Sequence, residues 1–147
     1  MIINISGNTQ PTQINSIQLN QFDDYSIRLI AFHAIFTSKA DFGIYQLCTN
    51  LIDRERGNSH RILAYIRLDK RQTVLDFTPT QSVWYKLRFK DISSAVFRLQ
   101  STVSDDEVFF TNFACQFEII KNARIQQFDS NKKPANYSTS SANENWG

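Results

Sequence analysis

The sequence predicts an all-β domain, either a β-sandwich or a β-barrel, and three observations lead to this expectation. Apolar and polar residues alternate with a period of two along most of the chain, as in strands with one covered face. The segments between these runs are short and polar, which is typical of turns. No run has the three- or four-residue apolar spacing of an amphipathic helix. A chain of 147 residues, 41% of them hydrophobic, is long enough to bury a core as one domain.

The longest alternating run covers residues 25–36, YSIRLIAFHAIF. Its first half alternates polar and apolar side chains, and its second half is apolar on both faces. This pattern is typical of a strand that starts at the rim of a sheet and continues into a covered interior. Shorter runs predict further strands at residues 12–20, 43–52, 60–68, 73–78, 107–111 and 113–121.

The segment SVWYKLRFKDISSAVFRLQ, residues 82–100, predicts two consecutive strands with a charged joint between Lys90 and Asp91. In the first strand every second side chain is apolar, and Trp84 shares the wet face with basic side chains. The second strand alternates in the same way, as does the strand at residues 113–121. The residues that we expect in the core are Tyr85, Leu87, Phe97 and Phe117.

The two ends of the chain differ from the strand-rich segment at residues 14–121. Residues 122–147 are rich in Ser, Asn and Lys and poor in aliphatic residues, so they cannot bury a core of their own. We expect this tail to be either disordered or a flexible arm that becomes ordered against a partner. Residues 1–13 are predicted to form a second flexible arm, which adds a strand to an exposed sheet edge. Candidate assembly contacts in the two arms are Ile2, Ile3, Ile5, Tyr137 and Trp146.

No pattern in the sequence predicts a catalytic site, a metal site or a cofactor. Two histidines and two cysteines are too widely spaced for a zinc signature, and the sequence contains no phosphate-loop or nucleophile-elbow motif. We expect His33 to be a satisfied core or rim histidine and His60 to be exposed. Cys48 and Cys115 lie in apolar runs, which favours buried free thiols, with a disulfide as the alternative.

Charged residues cluster in three places. The acidic pair Asp23 and Asp24 and the acidic residues 105–107 are expected to be turn formers, with calcium binding at the second cluster as the alternative. The basic residues between positions 54 and 71 are expected to form a solvated face, or alternatively a contact surface toward other subunits or nucleic acid. A net charge of only +2 argues against a nucleic-acid partner. With no signal peptide and no apolar run of membrane-spanning length, we expect neither classical secretion nor a membrane partner.

The order of features over residues 44–120 carries a resemblance to a known family. The strand IYQLCTNLID precedes a polar turn and the strand HRILAYIRL. A bend at Pro79 then leads to WYKLRFKDISSAVFRL, an acidic turn and the closing strand CQFEII. This order resembles the single jelly-roll minor capsid (penton) proteins of polinton-like viruses, adintoviruses and virophages. The residues that carry most of the resemblance are Asn50, Leu51, Ile52, Asp53, Tyr85, Ile92 and Phe97.

The resemblance implies a single jelly-roll β-sandwich that serves as a structural protein rather than an enzyme, and whose joint between Lys90 and Asp91 links strands of opposing sheets. It implies self-association, with a pentamer favoured, and a major capsid protein as a further candidate partner. The expected location is the virion, or the host cytoplasm or nucleus during assembly. The alternative is a soluble jelly-roll binding module, either a ligand-like trimer or a carbohydrate-binding sandwich, and an enzyme ranks last.

Overall fold

The protein is all-β in the computed structural model, which describes residues 1–53, 61–81 and 83–123. These residues form eleven strands and no helix, and so contain no helix that could cross a membrane. The strands are β1 (Ile2–Gly7), β2 (Thr12–Gln18), β3 (Tyr25–Phe36), β4 (Gly43–Thr49), β5 (Ile62–Leu68), β6 (Val74–Phe77), β7 (Tyr85–Lys86), β8 (Asp91–Ala95), β9 (Phe97–Ser101), β10 (Glu107–Val108) and β11 (Phe110–Lys121).

The first sheet is built around the two longest strands, β3 and β11. Its order is β1-β11-β3-β6, and β7 also pairs with β3, beyond the end of β6. Every pairing is antiparallel. Inward side chains of β3 and β11 are buried almost without exception, whereas the outward ones are exposed or half-buried. The alternation in the sequence therefore reports one covered and one wet face.

The second sheet has the order β10-β9-β4-β5, and β2 pairs with β8 in a separate two-stranded sheet. Only Val96 separates β8 from β9, so the two strands follow one another as a single interrupted run. Along this run, β2 pairs with the first part and β4 with the second part, both antiparallel. The interrupted run therefore ties the two-stranded sheet to the second sheet.

A cluster of phenylalanine rings joins the two sheets. The ring of Phe97, from the second sheet, lies 5.7 Å from Phe32, 5.2 Å from Phe113 and 6.1 Å from Phe117, centroid to centroid. These three partners belong to β3 and β11 of the first sheet. Phe97 and Phe117 are both buried, as is Leu87. The single apolar core therefore lies between the inner faces of two antiparallel sheets, as in a β-sandwich.

The segment after β4 reaches across to the first sheet, although the next strand, β5, belongs again to the second sheet. Leu51 and Ile52 are buried, and Ile52 forms a β-bridge with Leu87. The carbonyl of Leu51 accepts a hydrogen bond from the Arg88 amide at 2.9 Å. The crossing closes one end of the core with backbone pairing, so its amide and carbonyl groups are satisfied where they leave water.

The predicted strand at residues 82–90 is wrong in extent, because among the described residues 83–90 only Tyr85 and Lys86 pair as a strand. Val83 and Phe89, which the alternation assigns to the core, are exposed, and Tyr85 is half-buried. The joint between Lys90 and Asp91 does separate β7, in the first sheet, from β8, which pairs outside it.

The prediction of a separate arm at residues 1–13 is also wrong. β1 pairs along its whole length with β11 of its own chain, in a register that sets Ile3 opposite Phe117 and Ile5 opposite Cys115. Gly7 ends the strand where a Cβ would come within 2.6 Å of the Thr12 side chain, so only glycine fits this close approach to β2. The N-terminal segment is an integral strand of the first sheet.

We predict that Phe97→Ala lowers the free energy of unfolding by about 3–5 kcal/mol, because it removes a ring that contacts both sheets and leaves a cavity. Phe109→Ala is the matched control, since Phe109 is 57% exposed, and it should change stability by less than about 1 kcal/mol. Denaturant unfolding monitored by circular dichroism measures both. Equal effects of the two substitutions would contradict the assignment of Phe97 to the core.

Candidate assembly surfaces

A cluster of exposed apolar residues lies at one end of the outer face of the first sheet. We call it the Trp84 patch, and its members are Met1, Ile2, Trp84 and Ile120. It surrounds an ion pair in which the Arg28 guanidinium lies 2.6 Å from Glu118, the residue opposite Ile2 in the pairing of β1 and β11. The same guanidinium lies over the Trp84 ring at 5.0 Å. This stacking holds a large aromatic side chain at the surface with much of it open to solvent.

A second cluster lies on the outer face of the second sheet, which is the opposite side of the subunit. We call it the Tyr65 patch, and its members are Phe42, Ile44 and Tyr65, all exposed. Arg67 pairs opposite Ile44 in the sheet and extends over the Phe42 ring at 5.0 Å. Both patches therefore combine exposed aromatic rings with an arginine, the composition that is enriched at protein interfaces.

The three isoleucines that were predicted as assembly contacts differ in their exposure to solvent. Ile3 and Ile5 are 7% and 1% exposed in the core of their own chain, so they are wrong as contacts with a neighbour. Ile2 faces the opposite side of β1, is 51% exposed, and belongs to the Trp84 patch. β1 pairs with β11 alone in the first sheet, so it is an edge strand whose other side remains available for pairing.

Other predicted features lie partly outside the described residues. Tyr137 and Trp146 of the tail lie outside them, as do His60 and the basic residues Arg54 and Arg56, so their predicted roles stay predictions. Of the remaining basic residues, Lys70 and Arg71 lie exposed in the turn between β5 and β6. Arg71 has a φ of 63°, and its amide donates to the Ala40 carbonyl at 2.6 Å. The basic stretch therefore forms an exposed turn here, as the first interpretation expects.

The acidic clusters have structural partners. The buried Asp23 carboxylate lies 3.7 Å from the Lys121 ammonium, and Glu107 receives two hydrogen bonds from the Arg98 guanidinium. Among residues 1–53, 61–81 and 83–123, no three His, Cys, Asp or Glu side chains come together as a metal site would require. The calcium alternative for residues 105–107 therefore has no support in this part of the chain.

His33 is a rim histidine on the outer face of the first sheet, with its side chain 45% exposed. Its Nδ1 lies 2.5 Å from a carboxylate oxygen of Asp76 on the neighbouring strand β6. Sequence reasoning expected a satisfied histidine but did not find the aspartate, because the two residues are brought together only by the pairing of β3 with β6. No sequence signal near either residue indicated this contact.

Cys48 and Cys115 are free thiols, as expected, but only Cys115 is buried and Cys48 is half-buried. Burial raises the pKa of the Cys115 thiol well above its ordinary range. Burial also raises the pKa of Cys48, although the nearby Arg98 guanidinium partly opposes this effect. Because the thiolate is the reactive form, neither residue is suited to nucleophilic chemistry near neutral pH.

The residues that carry the family resemblance are concentrated around the core and the crossing between sheets. The Asn50 side-chain carbonyl accepts a hydrogen bond from the Val96 amide, which lies at the break between β8 and β9. The Tyr85 hydroxyl donates to the Leu63 carbonyl at 3.0 Å, joining the first sheet to the second. Ile92 is buried. Because these residues have structural roles, the resemblance that they carry is evidence about the fold and not about an activity.

Comparison with protein-family models, with curated proteins and with solved structures found no match to this chain.

We predict that the native thiols react slowly with Ellman's reagent at pH 8. A raised pKa leaves less thiolate at a given pH, so the onset of reactivity moves to higher pH than for free cysteine. Cys48→Ala isolates Cys115, which should become reactive only when denaturant unfolds the chain. If Cys115 in this folded variant reacts at the rate of free cysteine, its burial in the core is contradicted.

Proposed function

We propose that the chain is a single jelly-roll subunit of a self-assembling shell, resembling a minor capsid (penton) protein. The strand pairings support the jelly-roll part of this proposal. Eight strands remain when β6 with β7 and β8 with β9 each count as one interrupted strand and the short β10 is set aside. In the first sheet, the first strand (β1) pairs with the eighth (β11), the eighth pairs with the third (β3), and the third pairs with the sixth (β6 with β7). On the facing side, the second strand (β2) pairs with the seventh (β8 with β9), the seventh pairs with the fourth (β4), and the fourth pairs with the fifth (β5).

These are the neighbours that two Greek-key turns produce when an eight-stranded chain folds into two facing sheets. The pairing requires the chain to change sheets repeatedly, as it does between β3 of the first sheet and β4 of the second. A domain made in this way has flanks whose backbone is held in paired strands. Such flanks suit repeated contacts between identical copies, because little chain has to become ordered on association.

The observation that carries the assembly proposal is the placement of two aromatic patches on opposite outer faces. A ring of identical subunits needs two different surfaces, since each copy contacts its neighbours head to tail. In the proposed assembly the Trp84 patch of one copy contacts the Tyr65 patch of the next. A ring of five follows the family resemblance, and the free edge of β1 or a major capsid protein would supply contacts beyond the ring.

A soluble trimeric binding module is the second candidate, and the same strand pairings favour it, because one jelly-roll architecture serves both classes. The two candidates differ in the number of copies and in how the patches are used. A trimeric ligand would bury one flank around its axis and leave the other free for a receptor.

We predict that Trp84→Ser and Tyr65→Ser each reduce assembly while leaving the melting temperature close to that of the parent, since both side chains lie on outer faces. Removing a central aromatic side chain from an interface typically costs more than 2 kcal/mol, or about thirtyfold in affinity. Val103→Ser is the matched control, because Val103 is 92% exposed in a turn outside both patches. Sedimentation velocity measures the distribution of species.

Mixing the two patch variants tests the head-to-tail arrangement. Trp84→Ser keeps an intact Tyr65 patch and Tyr65→Ser keeps an intact Trp84 patch, so one competent contact remains between unlike chains. The mixture should form a heterodimer that grows no further. If each variant alone still dimerises and the mixture gives no heterodimer, the contacts join like patches and the proposed ring is contradicted.

A further inference from the structure

A groove of about 560 Å³ lies on the outer face of the first sheet, beside the Trp84 patch. Its volume falls within the range of about 300–1,000 Å³ that is usual for small-molecule sites. Neither the family resemblance nor the assembly proposal uses it. Little side-chain volume fills the centre of the groove, because Ala31 and Ala114 occupy neighbouring outward positions on β3 and β11 and neither side chain extends beyond Cβ.

The strand register places polar side chains around this floor in two rows. Ser6 pairs opposite Ala114, Ala114 opposite His33, and His33 opposite Asp76, so one row crosses four adjacent strands. The row is about 14 Å long, since neighbouring strands lie about 4.8 Å apart. In the next row, Asn4 pairs opposite Gln116, and Gln116 pairs opposite Ala31. Thr78, which follows β6, also lines the groove.

The groups around the groove offer both donors and acceptors. The Gln116 amide nitrogen donates to the Asn4 side-chain oxygen at 3.1 Å, which leaves the Asn4 amide nitrogen as a donor and the Gln116 oxygen as an acceptor. His33 contacts Asp76 through Nδ1, so the His33 Nε2 and the second carboxylate oxygen of Asp76 take no part in this contact. Ser6 adds a hydroxyl, which both donates and accepts.

The charge of the groove restricts the class of ligand. No lysine or arginine is among the residues that line it, and its one carboxylate, Asp76, lies against the His33 imidazole. A phosphate or nucleic acid would therefore find no lysine or arginine to bind among these residues. A peptide strand would find no open edge at the centre of the groove, because the backbone of the inner strands β3 and β11 is already paired on both sides. An apolar ligand would contact the apolar part of the lining, such as Ala31, Phe77 and Ala114, but would bury the polar groups of both rows without hydrogen bonds.

We propose that this groove binds a short neutral oligosaccharide. Sugar hydroxyls both donate and accept, which matches the mixture of amide, hydroxyl, imidazole and carboxylate groups in the two rows. The ligand lies along the row from Ser6 to Asp76 and fills the space above the two alanines. Asp76 accepts hydrogen bonds from hydroxyls of one ring, and Asn4 and Gln116 contact the ring at the other end. The inference does not depend on whether the chain assembles.

Binding of three neutral trisaccharides to the full chain tests this site: cellotriose, maltotriose and N,N′,N″-triacetylchitotriose. We expect at least one to give saturation-transfer NMR signals and a saturable titration, and to shift the methyl resonances of Ala31 and Ala114. Absence of binding by all three at their solubility limits would overturn the proposal.

Two variants locate the binding. Asp76→Asn should weaken affinity about tenfold or more, because it removes a charged hydrogen-bond acceptor while keeping the shape. Ala114→Leu should abolish binding by filling the floor. Both positions are exposed, so melting should be nearly unchanged. Asp105→Asn, at an exposed aspartate in the turn between β9 and β10, is the matched control and should bind like the parent. Unchanged binding by Asp76→Asn, or equal losses in Asp76→Asn and Asp105→Asn, would overturn the assignment to this groove.

Discussion

The contact of the Phe97 ring with Phe32, Phe113 and Phe117 is the interaction on which the rest of the structure depends. It joins the interrupted run β8–β9 to the two longest strands of the first sheet. Packing of these rings seals the inner faces of both sheets against water and leaves only the outer faces and the strand edges for other molecules. The two patches and the groove all lie on outer faces for this reason, and the thiol of Cys115 is buried for the same reason.

Much of the fold could be predicted from alternation, and the exceptions have physical causes. Alternation reports which face of a strand is covered, so it located β3, β11 and the burial of Phe97 and Phe117. It does not report which strand lies alongside. Ile3 and Ile5 alternate as a strand must, but the pattern is the same whether β1 joins its own sheet or that of a neighbour. Residues 82–90 alternate too, but among the described residues of this segment only Tyr85 and Lys86 pair with a strand, which is β3.

The candidate sites were harder to predict from the sequence than the fold was. The wet-face assignment of Trp84 follows from alternation, but its stacking with Arg28 joins residues that are distant in the chain. The groove is a product of register alone: Ser6, His33 and Asp76 share one row because three separate strand pairings are aligned. If one strand shifted by one residue relative to its neighbour, its outward side chains would face the core instead. Contacts of this kind have no local signature in a single sequence.

The proposed function requires that the two different patches of one sandwich drive closed self-assembly. Native mass spectrometry of the full chain over a range of concentrations tests it most directly, because a closed ring gives one discrete mass. The account predicts a species of five copies that becomes dominant as concentration rises, without a series of larger oligomers. A chain that remains monomeric at every concentration would contradict the account, and a discrete trimer would favour the binding-module candidate instead.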